Sequence, residues 1–117
     1  MTDIEGYAEL ISETIRSADE GFYDGEECDD AIERLLDDCL DLKALVSYSV
    51  HGVQTTEAVE ILRSYGGPTC WISVQSDDEV RVAVYDGSDR TETRVLAPRF
   101  AEVAFEAAQY VVEEATS

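Results

Sequence analysis

The groups most able to do chemistry in this 117-residue chain are its carboxylates, one histidine and three cysteines. Two acidic runs have spacings that hard cations favour, because magnesium and its relatives bind through oxygen. Asp37-Asp38-Cys39-Leu40-Asp41 has the form DDxxD. Such a cluster works in pairs within an all-helical cavity much larger than this chain can build. Glu26-Glu27-Cys28-Asp29-Asp30 is a degenerate EExxE run, and Glu57 to Glu60 has only the spacing of the ExxD half that would complete it. The helical scaffold that pair requires conflicts with the valine alternation further along. His51 follows an expected helix end, where an imidazolium is favoured by the helix dipole. No motif pairs it with a serine or thiol nucleophile. Cys28, Cys39 and Cys70 include no CxxC, so neither zinc nor a disulfide framework is expected. Cys39 and Cys70 read as small core residues. The expectation is a protein that is not an enzyme, with no metal and no cofactor.

Charge is the dominant feature. The sequence has 27 Asp and Glu against 8 Lys and Arg, a formal net charge of −19. A conventional nucleic-acid binder needs a basic surface to displace counterions from phosphates, so direct nucleic-acid binding is excluded. An anionic membrane surface is disfavoured for the same reason, and no apolar run reaches the roughly 20 residues of a membrane span. The opening MTDIEGYAEL is acidic and lacks the cationic stretch of a signal peptide, which points to the cytoplasm.

The elements that would position these acids follow from periodicity. A first helix is expected over 3–18, capped by Thr2 with Glu5, burying Ile4, Ala8, Ile11 and Ile15. Residues 19–25 read as a loop pinned by Phe22 and Tyr23. Ile32, Leu35, Leu36, Cys39, Leu42 and Val46 recur at steps of three and four, predicting a long second helix from 26–30 to about 49, stopped by Gly52. A third helix fits 56–65. After Gly66-Gly67-Pro68 the period becomes two, with Cys70, Ile72 and Val74, then Val80, Val82 and Val84, then a strand over 91–96. Pro98 suits the first position of a last helix. The expected fold is a single α+β domain over 1–117 in the order ααα-βββ-α. A three-stranded antiparallel meander packs on helices, 1–52 forming the acidic helical part and 53–117 the rest.

The acids are uneven. Residues 1–43 hold 15 carboxylates and 3 basic residues, and residues 44–117 hold 12 and 5. On the long helix, Glu26, Glu27, Asp29, Asp30, Glu33, Asp37, Asp38 and Asp41 would extend over about 22 Å, roughly one charge per 3 Å. That approaches the 3.4 Å spacing of phosphates along one DNA strand. Glu9 and Glu13 add to the margin, and Phe22 and Tyr23 are candidate apolar anchors. Like charges four residues apart destabilise a helix, so a partner would explain their retention. The expected partner is a basic nucleic-acid-binding protein or complex, whose groove these residues occupy in place of polynucleotide. Trp71 lies on the strand face opposite Cys70 and Ile72, where a second covered layer is expected, with Arg81 facing the same way. Two other readings fit the composition. One is a salt-adapted acidic domain of a halophile with no mimic role, since a single Lys stands against seven Arg. The other is an acidic adaptor or chaperone for a basic client. The chain is expected to be a monomer or homodimer.

Gly66-Gly67-Pro68-Thr69, a hydrophobic hairpin, and Tyr85-Asp86-Gly87-Ser88-Asp89 together resemble a pattern in small proteins of phages and conjugative elements. The resemblance covers roughly 57–96, with Val84-Tyr85-Asp86 standing where those proteins tend to carry Gly-Tyr-Trp. It implies a mobile-element origin, and hence an inhibitor of the anti-restriction or anti-CRISPR type that imitates DNA in the host cytoplasm. It implies no catalytic residues.

Overall fold

The amphipathic stripe at the start of the chain folds as expected into helix α1 (Ile4–Asp19), which buries Ala8, Ile11, Ile15 and Ala18. Its cap is Asp3, whose carboxylate accepts from the Gly6 amide at 3.0 Å; Thr2 lies outside the described residues. This computed structural model describes residues 3–52, 54–66, 68–75 and 78–116.

The expected loop contains a small hairpin, β1 (Phe22–Tyr23) and β2 (Glu26–Glu27). Asp24 and Gly25 form its turn with φ of 55° and 79°. Two consecutive positive φ values make the tight hairpin turn for which Asp-Gly is the preferred sequence.

The long second helix does not exist. In its place are the hairpin's second strand, a seven-residue helix α2 (Ala31–Asp37) and strand β3 (Asp41–Tyr48). The third expected helix is also a strand, β4 (Gln54–Ser64), and Gly52 lies in the turn between the two. The cause is an ambiguity of period. Leu42 and Val46 are four apart, which suits a helix, but with Ala44 between them they also satisfy strict alternation. Thr55, Thr56, Val59 and Ile61 add the β-branched content that a pleated surface favours.

Strands β5 (Thr69–Gln75), β6 (Glu79–Asp86) and β7 (Asp89–Leu96) match the expected meander. Together β3 to β7 make one five-stranded antiparallel sheet in sequential order, so the order ααα-βββ-α is replaced by three helices, a two-stranded ribbon and a five-stranded sheet. Helix α3 (Pro98–Thr116) begins at the proline, as expected.

All three helices contribute to one apolar core on a single face of the sheet. α1 packs over β6 and β7, and α3 chiefly over β3 and β4. Ile11, Ile15, Leu35 and Phe100 meet Val59, Ile61, Cys70, Ile72, Val74, Val80, Val82 and Val84 there. Each such aliphatic side chain withdrawn from water contributes roughly 1.5–3 kcal/mol. In α3, Ala101 and Ala108 are buried, whereas Val111 is 44% exposed. The Tyr7 hydroxyl donates to Ser64 Oγ at 3.0 Å, and Ser64 donates to the Pro68 carbonyl at 2.9 Å. This chain of bonds ties α1 to the end of β4. The molecule measures 50 × 37 × 24 Å, and its thinnest dimension accommodates one helical layer and one sheet layer. The opposite sheet face is left uncovered by any described element.

Candidate partner-binding surface

Fifteen carboxylates precede β4, and α1, the hairpin and α2 distribute them. The straight 22 Å row is overturned: α2 is about 10 Å long and carries only Glu33 and Asp37 of the eight acids. Glu26 and Glu27 form β2, Asp29 and Asp30 lie in the turn before α2, and Asp38 follows it. Asp41 is separated from the rest. It opens β3 opposite Leu62, so it stands on the uncovered face of the sheet, and its carboxylate accepts from the Leu42 amide.

An acidic surface spread over α1, the hairpin and α2 replaces the row. Helices α1 and α2 and the hairpin pack on one another. Glu5, Glu9, Glu20, Asp24, Glu26, Glu27, Asp29, Glu33 and Asp37 are all exposed there, and among the described residues none has an ion-pair partner. Two acids of this surface are paired, Glu13 with Arg16 and Asp30 with Arg34, both in exposed pairs within a single helix or at its cap. Pairs of that kind are worth little in water.

Beside these acids an apolar element emerges that periodicity did not single out. Leu10, on α1, is 61% exposed, and Phe22 is 43% exposed. They line a groove of about 250 Å³ between α1 and the hairpin, together with Glu13, Tyr23 and Asp24. Of the expected anchors, Phe22 is presented to solvent, whereas Tyr23 is half-buried and donates its hydroxyl to Asp38. Burial, with that hydrogen bond second, pushes the Tyr23 phenol up to about 12. Tyr23 is therefore a neutral anchor that holds the hairpin to the end of α2. The sequence signal for the groove was the Asp24-Gly25 turn dipeptide directly after the β-prone pair Phe22-Tyr23, which fixes where Phe22 points.

The remaining candidates are dispersed. Cys39 follows α2, outside the expected helix stripe, and its thiol donates to the Leu35 carbonyl at 3.2 Å. His51 is exposed in the β3–β4 turn. Among the described residues, no three metal-ligating side chains converge. Among the described residues no second layer covers Trp71: it stands half-buried on the uncovered sheet face, with Lys43 Nζ 5.5 Å from its ring centre. Arg81 shares that face but pairs with Glu79. No helix among the described residues is long and apolar enough to cross a membrane. Comparison with known protein families, curated proteins and solved structures returns no match to this chain.

Proposed function

We propose that this protein is a non-catalytic inhibitor that docks its acidic end into the basic nucleic-acid groove of a host defence complex, a restriction enzyme or CRISPR effector. The observation that carries the reading is the set of nine exposed carboxylates on α1, the hairpin and the segment through α2, none with an ion-pair partner among the described residues, one of which, Asp24, lines the groove that also bears Leu10 and Phe22. The carboxylates supply long-range attraction to a basic surface and displace the polyanion that surface normally holds. Leu10 and Phe22 supply the dehydrated contact that charge alone lacks. Mimicry here rests on a curved cluster spanning α1, the hairpin and α2, with no requirement for one phosphate-spaced row.

The test is expression in cells carrying restriction or CRISPR systems, scored by recovery of plasmid transformation. The wild-type chain should restore transformation in at least one such strain. A triple variant, Glu26→Lys, Asp29→Lys and Asp37→Lys, alters only exposed and unpaired positions and should fold normally but fail. A folded triple variant that still inhibits would remove this surface from consideration.

Exposed carboxylates elsewhere, at Asp78, Asp89, Glu102 and Glu106, favour salt adaptation as the competing reading. A melting curve separates the two. A halophilic protein unfolds as salt is withdrawn, whereas a mimic stays folded at low salt and loses its partner as salt rises.

A further inference from the structure

The uncovered face of the sheet has a character unlike the rest of this chain. Cross-strand partners share a face, so the pairing register assigns its occupants. One row runs Asp41, Leu62, Trp71, Ala83, Glu92, and the next runs Lys43, Glu60, Ser73, Arg81, Arg94. Beyond the second row lie Leu45, Ala58 and Gln75 on β3 to β5, with Glu79 and Leu96 on β6 and β7. Beyond the first lie Thr69, Tyr85 and Arg90. Four cations, Lys43, Arg81, Arg90 and Arg94, meet five anions, Asp41, Glu60, Glu79, Glu92 and, at the β4 bulge, Glu57, which accepts from Ser47 Oγ at 2.8 Å. In a chain of net charge −19 with eight basic residues, this face is within one charge of neutral and holds half of the cations. Leu45 is 50% and Leu96 72% exposed, and Trp71 and Tyr85 each lie beneath a cation, Lys43 and Arg90.

We infer that this face is the seat of a second copy of the chain, giving a face-to-face homodimer with both acidic ends directed outward. A basic partner is drawn instead to the acidic end, and a polyanion is repelled by the molecule as a whole. Two copies can approach without strong repulsion only where each is nearly neutral.

The charge pattern also selects the symmetry. A two-fold axis parallel to the strands would set Lys43 against Arg94 of the partner subunit, and Asp41 against Glu92 of the partner subunit, both repulsive. A two-fold axis across the strands, passing between the two rows, exchanges them. Asp41 then faces Lys43 of the partner subunit, and Glu92 faces Arg94 of the partner subunit. The two copies of Trp71 flank the axis, each opposite Ser73 of the partner subunit. The exposed Leu96 meets the depression of about 410 Å³ beside Tyr85 and Arg90 of the partner subunit. Five strands at about 4.8 Å and seven residues at about 3.4 Å offer roughly 600 Å² per copy. The pair buries roughly 1,200 Å², the lower bound of a standard specific interface.

Sedimentation equilibrium from micromolar to millimolar chain, in about 0.5 M salt where the screening length is about 4 Å, tests this without any other partner. The expected species is twice the 12.9 kDa chain mass. Arg94→Glu places like charges across the axis and should weaken association about tenfold or more. The double variant Glu92→Arg, Arg94→Glu recreates complementary pairs under the cross-strand axis and should restore the dimer, whereas under the strand-parallel axis Arg94→Glu alone would already relieve the clash with Lys43 of the partner subunit and strengthen association. Trp71 emission should shift to shorter wavelength as wild-type chain is concentrated, a readout that needs no variant. A chain that stays monomeric throughout, or a dimer that Arg94→Glu does not weaken, overturns the inference. Neither result bears on the acidic end, so this proposal and the proposed function stand or fall separately.

Discussion

The Asp19 carboxylate, at the last residue of α1, accepts a 2.8 Å hydrogen bond from the Phe100 backbone amide, 81 positions away. Phe100 is the third residue of α3, so its amide is one of the donors that a helix leaves unpaired at its start. α3 thus takes this cap from another helix, and one carboxylate locks the orientation of two helices over the sheet. Asp19→Ala should cost about 1–2 kcal/mol, by analogy with loss of a local cap. Asp19→Asn keeps an acceptor and should lose less. Thermal melts of the two variants check the order, with Asp19→Ala the lower.

Ser12 is 6% exposed, and its hydroxyl has no hydrogen-bond partner among the described residues. A buried hydroxyl without a partner bears a desolvation cost and returns nothing. Ser12→Ala should therefore hold or raise stability, by up to about 1 kcal/mol, with alanine's better helix propensity adding to the gain. Chemical denaturation at a shared slope provides the comparison; a clear loss would mean the hydroxyl has a partner.

Tyr23 gives the fold an alkaline limit. Its phenol is pushed from 10.0 to about 12 by burial and by the bond to Asp38. The folded chain holds this proton where the unfolded chain releases it, so the contribution is full below pH 10 and is lost as pH rises toward 12. The denaturation midpoint should fall across that window. Tyr23→Phe should lessen the fall, and the variant's tyrosinate absorbance should lack the late-titrating component.

The three thiols should differ in reactivity. Cys70 is wholly buried in the core, and burial pushes its thiol up to about 12. Burial also raises the Cys39 thiol. Cys28 is partly exposed. Near neutral pH, a thiol reagent should label Cys28 first in the native protein. Cys70 should react only as the chain unfolds, because the thiolate is the nucleophile. Mass spectrometry of partly labelled protein gives the order, and early labelling of Cys70 would contradict its burial.

Asp37→Lys separates stability from function. Glu33 and Asp37 repel at i, i+4 on α2, and lysine at 37 makes a favourable Glu–Lys pair. A cation in the last turn also suits the helix dipole. The variant should gain a few tenths of a kcal/mol at low salt while weakening the proposed partner contact. A gain in melting temperature that vanishes in high salt marks the effect as electrostatic.

Much of this architecture was legible before folding. Ile11 and Ile15 at helical spacing, Val80, Val82 and Val84 at period two, and Pro98 at a helix start each have one physical solution, and each adopts it. The acidity of the first third was also plain. Leu42 and Val46 were not decisive, because a spacing of four serves a helix turn and two strand repeats alike. Only pairing against Ile61, Val59 and Thr56 resolves it, and those contacts do not exist until the sheet forms.

The sequence by itself therefore determined how much charge this protein carries, which segments are apolar on one side, and that its core is aliphatic. The tertiary structure alone decided where the charges go. Register set Lys43, Arg81 and Arg94 with Glu60 on one nearly neutral face, and left Glu26, Asp29, Glu33 and Asp37 unpaired at the acidic end. Charge is a property of each residue, but charge segregation is a property of pairing. A one-residue shift between two strands would reverse which side chains share a face.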